Sequence, residues 1–357
     1  MALSRTSRLG SVNMADLTTF GVGGPAGTLI DASTTEELID AVRSADASGQ
    51  PLFVLSGGSN VLVGDAGFDG TVVRITGGTA GPGWVWAGVR LDDLVVWSID
   101  EGRAGLEALS GIPGLVGAAP VQNVGAYGAE ITQVVQAVRV WDRLENNQIT
   151  LSSPECGFAY RDSVFKQSRR PGEATGRYVV LSVLFDLPES SLSAPIAYGE
   201  LAKALDVELG ARAPLGDVRD AVLDLRRSKG MVVDPADPDT HSAGSFFTNP
   251  LLDEAVAAAL PLDAPRFPQP DGRIKTSAAW LIEHAGFSKG YGHGPARLSS
   301  KHVLALTNQG GATAADIIAL AGTIQSGVQA KFGVALEPEP VMVGVDPGYC
   351  DYAQDDG

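Results

Sequence analysis

The sequence predicts an α+β chain in two parts, a strand-rich first half and a helix-rich second half. Three observations predict it. Short apolar runs bounded by turn residues recur as far as Leu187, the mark of buried strands. From Asp217 onward apolar residues recur at helical spacing instead. A length of 357 residues, at about 150 per domain, accommodates roughly two domains.

Thr28–Ala32 reads as the first strand. A helix follows, because Thr34 and Glu37 have the capping-box spacing and Leu38, Ala41 and Val42 share a face. Pro51–Ser56 is a buried strand that runs into Gly57-Gly58-Ser59-Asn60. Further strands are expected at Thr71–Ile75, Trp84–Val89, Val134–Trp141 and Tyr178–Leu187. Between them Gly105–Gly128 is too punctuated by glycine for one regular element. A loop of that length in a compact domain is functional or disordered, and Leu106, Ile112, Leu115, Val116 and Val121 disfavour disorder. In the second half Asp217 is expected to cap a helix carrying Val218, Ala221, Val222 and Leu225, which ends at Lys229-Gly230. A polar loop, 233–242, comes next. Leu251–Leu260, Thr276–Ala285 and Ala314–Phe332 read as helices, the last with Thr313 before it and Gly333 after it. Pro340–Val345 is a final strand ahead of an acidic tail.

Lys plus Arg number 26 and Asp plus Glu 42, a net charge of −16. That balance argues against nucleic acid and anionic membrane surfaces as partners. Cys156 and Cys350 stand too far apart in sequence for a zinc knuckle or a disulfide framework, which favours a reducing compartment. The first residues lack the apolar core of a secretory signal, and no run approaches the roughly 20 apolar residues of a membrane helix. A cytoplasmic protein is expected.

Gly21 to Ala26 matches the GxGxxG/A dinucleotide pattern formally, but a strand follows where that motif requires a helix. The histidines, His241, His284, His293 and His302, show no metal-ligand spacing, so no metal is expected. Ser59 lies in GGSNV, not in a nucleophile elbow.

Five segments remain. Gly57-Gly58-Ser59-Asn60 and the 105–128 stretch offer backbone N–H groups that can approach an anion, and two such loops suit a ligand with a pyrophosphate. In Tyr160-Arg161-Asp162-Ser163 an arginine beside an aromatic can fork a carboxylate. Ser245, between Gly244 and Phe246-Phe247, can serve as a proton donor in an apolar setting. Glu337 and Glu339 alternate with prolines just before the final strand. Taken alone, each glycine loop is more often an ordinary turn, the Arg161 segment a surface ion pair and the two acids a solvated pair, and the Ser245 segment is at least as readily a helix-entry turn.

Taken together and in order, the strings LSGGSNVLV, SGIPGLVGAAPVQNVGAYG, YRDSVFK, AGSFFTNP, IKTSAAWLIEHAG and LEPEPV resemble the UDP-N-acetylenolpyruvoylglucosamine reductase family of flavoenzymes. The resemblance runs from about Leu17 to about Val343. It implies a two-part FAD-binding domain of the vanillyl-alcohol-oxidase type and an α+β substrate-binding domain. The implied division is an arm at 1–15, the FAD domain at 16–190, a connecting segment at 191–230, the substrate domain at 231–334, and a strand returning to the FAD domain with a tail at 335–357.

Matched string by string, Gly57, Gly58, Ser59, Asn60, Ile112, Pro113, Gly114, Gly117, Gln122, Asn123 and Gly125 would hold FAD. Arg161, Ser245 and Glu339 would be the catalytic set. Tyr198 matches a substrate-loop tyrosine, and Lys229, Asn249 and Lys275 match substrate contacts. The implied reaction uses NADPH to reduce FAD, and reduced FAD to reduce the enolpyruvyl ether of UDP-N-acetylglucosamine, in peptidoglycan precursor synthesis. A monomer is expected. Relatives in the wider flavin fold attach FAD through a histidine in the N-terminal half; the first histidine here is His241, so dissociable FAD is expected.

There are departures. The segment from Lys229 to Ser245 is longer than in some members, and Thr248 stands where many have lysine. Glu339 is preferred to Glu337 because it directly precedes the strand. A sugar or alcohol oxidase of the same fold would need no NADPH, and the AGSFF and LEPEP strings argue against it. A sensor of nucleotide sugars would have no use for a proton donor. All three implied ligands are polyanions, so attraction must be local, from Arg161, Lys229, Lys275 and loop N–H groups, against an unfavourable overall field.

Overall fold

A computed structural model of the protein describes residues 12–345. Its contacts divide the chain into two compact units. Ala26–Gly58 and Phe68–Val232 form the first; Asn13–Pro25, Ser59–Gly67 and the chain from Val233 onward form the second. The division therefore interleaves, and it passes through the GGSN string between Gly58 and Ser59.

In chain order the first half opens with β1 (Ala26–Ala32), α1 (Thr35–Ser48) and β2 (Leu52–Leu55). After β3 (Val61–Val63) comes β4 (Phe68–Ile75), which lies parallel between β1 and β2. Thr34 caps α1 by accepting the Glu37 N–H at 3.2 Å, and Gly49 closes it in the left-handed conformation. Leu38, Ala41, Val42 and Ala45 pack from this helix into a core with Ala32, Leu52, Val73 and Ile75.

The second sheet of this unit is antiparallel. It orders β5 (Trp84–Trp86), β10 (Tyr178–Phe185), β8 (Val135–Asp142) and β9 (Asn147–Ser152). α2 (Leu91–Asp100) and the 105–128 stretch share its core through Leu94, Val95, Leu106, Leu109, Val116, Val138 and Val183. That stretch holds short 3₁₀ turns and a small hairpin of β6 (Gly125–Ala126) and β7 (Ala129–Glu130), turning at Tyr127-Gly128. Short α3 (Val164–Gln167) follows the YRDS turn, and α4 (Gly199–Ala204) packs on α5 (Leu215–Ser228).

α5 begins at Leu215 behind Pro214, so Asp217 lies in its first turn and does not cap it. Pro214 brings its fixed φ to the cap position, and Asp217 favours the positive end of the helix from inside.

The second unit is built around α7 (Ala278–His284) and α8 (Ala314–Phe332), which bury Leu281, Ile282, Ile317, Ala321, Ile324 and Val328 against Phe20, Phe246 and Phe247. Leu251–Leu260 is not one helix. Leu251–Leu252 is a strand, β11, and only Glu254–Ala259, α6, is helical. β11 pairs with β13 (Ile274–Lys275), which also pairs with β12 (Phe267–Pro268). β14 (Ala296–Leu298) pairs with β15 (Leu306–Asn308). α8 keeps the expected bounds, with Thr313 and Asp316 capping reciprocally and Gly333 left-handed. The Asp65 carboxylate also accepts the Ala314 N–H at 2.7 Å. β16 (Val341–Val343) lies parallel to β3. The acidic tail and Cys350 lie outside the described residues. No helix among the described residues is long and apolar enough to cross a membrane.

Candidate functional site

In the first unit the two glycine loops touch through bare backbone. A Cβ on Gly57 would lie 2.6 Å from the Cα of Gly114, and one on Gly117 would lie 2.6 Å from the Ala87 Cβ. Gly58 and Gly114 hold positive φ, 63° and 119°, which side chains resist. This is a cradle a methyl group would fill, and it fits a ligand gripped by backbone N–H groups. Asp92 of α2 anchors the loop: its carboxylate accepts the Gly111 N–H at 2.7 Å and a two-pronged bond from Arg219 of α5. Burial pushes the Asp92 carboxyl up, but the Arg219 and Gly111 bonds and the charges of Arg219 and Arg90 outweigh this and hold it below its usual range. Ile112 stays in the same network through its N–H to the Leu109 carbonyl, 3.2 Å.

Asn123 is buried in a left-handed conformation, with its amide donating to Glu130 at 2.7 Å and to the Ala159 carbonyl at 3.0 Å. Ala159 and Asp162 close a tight turn on which Arg161 stands, also left-handed with φ 53°. The Arg161 guanidinium donates to the carbonyls of Asn123 (3.3 Å) and Gly125 (2.9 Å). Both of these acceptors are backbone carbonyls, and they fix the plane of the guanidinium. The turn is further held by Lys166 Nζ on the Arg161 carbonyl, 2.8 Å.

Tyr198 and Lys229 meet around Tyr127. The Tyr127 and Tyr198 rings are edge to face at 5.6 Å, and Lys229 Nζ lies 5.6 Å from the Tyr127 centroid. Lys229 is ion-paired to Glu200 at 2.5 Å. Burial pushes the Tyr127 hydroxyl up to about 12; Arg226 pulls it down, and Glu200 and Tyr198 add to the rise. Arg226 donates to the Met231 carbonyl at 2.6 Å, while its buried Nε has no partner among the described residues. Burial lowers the pKa of its guanidinium.

In the second unit Ser245 and Glu339 are brought together by backbone. Phe246 donates its N–H to Leu304 (2.7 Å) and accepts the Glu339 N–H (2.8 Å), and Phe247 bridges Pro338. The Phe246 and Phe247 side chains fill the core, so the intervening backbone is fixed. Ser245 is half-buried, and its hydroxyl has no hydrogen-bond partner among the described residues. Glu339 is half-buried and Glu337 is exposed. Asn60 joins the group, its carbonyl accepting the Val341 N–H at 3.0 Å and its amide reaching the Glu339 carbonyl at 3.5 Å. Thr19 donates to the Ser242 carbonyl at 2.6 Å and lies 3.4 Å from the Ser59 carbonyl. Asn249 accepts the Ala278 N–H at 2.9 Å, at the start of α7, and Lys275 occupies the middle strand of the β11–β13–β12 sheet. Thr248 donates its N–H to the Glu337 carbonyl, 3.0 Å.

Asp92, Tyr127, Glu200 and Arg226 are additions that sequence reasoning missed. Asp92 and Arg226 sit in amphipathic helices where charge is expected on the solvent side. The one available signal was Tyr127-Gly128, an aromatic–glycine pair between two short alternating segments. No group of three His, Cys, Asp or Glu that could hold a metal occurs among the described residues.

Residues 25–147 match the family model described as an FAD binding domain, and residues 235–343 match the C-terminal domain of UDP-N-acetylenolpyruvoylglucosamine reductase. The chain is 53% identical to the UDP-N-acetylenolpyruvoylglucosamine reductase of Thermobifida fusca, over 95% of this chain and 99% of that one. It is 50% identical to the same enzyme of Streptomyces avermitilis, over 96% and 97%. The crystal structure of UDP-N-acetylenolpyruvylglucosamine reductase from Thermus caldophilus superposes with a TM-score of 0.66 at 29% identity, covering 96% of this chain and 100% of that one.

Proposed function

The chain belongs to the UDP-N-acetylenolpyruvoylglucosamine reductase family of FAD-containing oxidoreductases, and from that premise we propose that Arg161, Ser245 and Glu339 carry its reaction. The reaction is reduction of the enolpyruvyl ether of UDP-N-acetylglucosamine to UDP-N-acetylmuramate, with NADPH as the reductant. Bound FAD supplies the hydride chemistry that side chains cannot. The glycine loops, with Ser59, Asn60, Ile112, Pro113, Gln122, Asn123 and Gly125, hold it without a covalent bond.

Arg161 takes the enolpyruvyl carboxylate, into which negative charge spreads as the double bond is reduced. A guanidinium already oriented by two carbonyls needs little reorganisation to meet that charge. Ser245 gives its proton to the carbon beside the carboxylate. A hydroxyl is a weak acid, so the step needs a strongly basic carbon in contact with it. Glu339 helps either as a protonated acid or by orienting another donor, because a bare carboxylate would repel the developing charge. Tyr198, Lys229, Asn249 and Lys275 bind the nucleotide diphosphate sugar. NADPH and substrate use the site in turn, in the cytoplasm and on a monomer.

The observation that supports this reading is the backbone bond from Glu339 to Phe246, the residue next to Ser245. Ser245→Ala tests it. Flavin reduction by NADPH should keep its rate, and flavin oxidation by the enolpyruvyl substrate should collapse. Equal slowing of both half-reactions would remove Ser245 as the proton donor.

A further inference from the structure

Lys229 does not present a bare ammonium. Its Nζ lies 2.5 Å from a Glu200 carboxylate oxygen. Glu200 is two residues after Tyr198, in the first turn of α4, and Lys229 ends α5. The two helices share an apolar core of Leu201, Ala202, Val218 and Val222, so the packing that positions the lysine also delivers the carboxylate. The pair is only partly buried, with side chains 26% and 40% exposed, and water can replace either partner. No other acid is ion-paired to Lys229 among the described residues.

A diphosphate arriving at Lys229 meets a site whose positive charge is already matched. It must exchange with Glu200 or bind beside a like charge. We propose that Glu200 is a built-in competitor for the Lys229 ammonium, which holds the lysine in the free enzyme and yields it to the diphosphate on binding. This rests on the reading of Lys229 as a diphosphate contact. Glu200 then sets the affinity for nucleotide ligands and takes no part in the chemistry. It weakens the grip on the diphosphate, which favours release of one nucleotide before the next binds at a shared site.

The test uses the oxidised holoenzyme and titrates it with UDP-N-acetylmuramate, the diphosphate-bearing product, by calorimetry. Glu200→Gln keeps the shape and removes the charge. A partly exposed pair is worth about a two- to fivefold change in an equilibrium. The Kd should fall by that factor at low ionic strength, and the difference from the parent enzyme should close as salt is raised. Glu200→Ala should tighten binding likewise, with flavin content unchanged for both variants. Lys229→Met should weaken binding, and adding Glu200→Gln to it should change nothing further. If Lys229→Met leaves the Kd unaltered, the diphosphate reading of Lys229 fails and the competitor falls with it. If Lys229→Met weakens binding while Glu200→Gln leaves the Kd unchanged or raises it, only the competitor is wrong, and Glu200 positions the lysine instead.

Discussion

Gly57 and Gly114 come from loops far apart in sequence and meet with no side chain between them: the Cβ that Gly57 lacks would stand 2.6 Å from the Gly114 Cα. Gly57 does not have positive φ, so space alone demands glycine there. Gly57→Ala must part the two loops, at a cost of about 1–3 kcal/mol for an overpacked site. FAD affinity should fall by about ten- to a hundredfold. The flavin-to-protein absorbance ratio after gel filtration checks it. Gly81→Ala, where an added Cβ would meet nothing within 4 Å, should retain its flavin.

Arg161→Lys preserves the charge and loses the fork. The two bonds to the Asn123 and Gly125 carbonyls need two prongs fixed in one plane, which a lysine does not have. Flavin oxidation by the enolpyruvyl substrate should slow by about 10²–10³-fold, the scale of losing one preorganised charge-stabilising group. Rapid-mixing absorbance of the pre-reduced enzyme measures it. Flavin reduction by NADPH should suffer much less.

Asp92 gives the first unit an acid limit. Its folded pKa lies below the ordinary carboxylate value of about 3.9. A depressed carboxylate contributes stability that is complete above its unfolded pKa and is lost as pH falls through the lower folded value. Asp92→Asn also loosens Gly111 and leaves Arg219 without its partner, at about 1–3 kcal/mol. The Tm gap between parent and Asp92→Asn should therefore be constant from pH 7 to about pH 5 and shrink below about pH 4. Thermal melts across that range show it.

Much of this was legible where a residue's role is local. Thr34 and Thr313 announce α1 and α8 because capping uses side chains three residues away. β9 shows no such signal: Asn147–Ser152 alternates between exposed and half-buried and draws its order from pairing with β8. α2 hides behind Val95, Val96 and Trp97, residues that also favour strands. Leu251–Leu252 has too few residues to display a period before α6 begins. The site divides the same way. Glycine loops can be read from composition, whereas the Asp92–Gly111 anchor and the Glu200–Lys229 pair depend on segments that meet only after folding. The interleaved units, with Asn13–Pro25 and Ser59–Gly67 joining the chain beyond Val233, leave no trace in local pattern for the same reason.

The most direct test of the function proposed for Arg161, Ser245 and Glu339 is the colour of the flavin in the anaerobic holoenzyme. NADPH should bleach the yellow flavin, and UDP-N-acetylglucosamine enolpyruvate added afterwards should restore it, with one UDP-N-acetylmuramate formed per flavin. Yellow that returns only on admitting oxygen, with the enolpyruvyl nucleotide sugar unchanged, would contradict it.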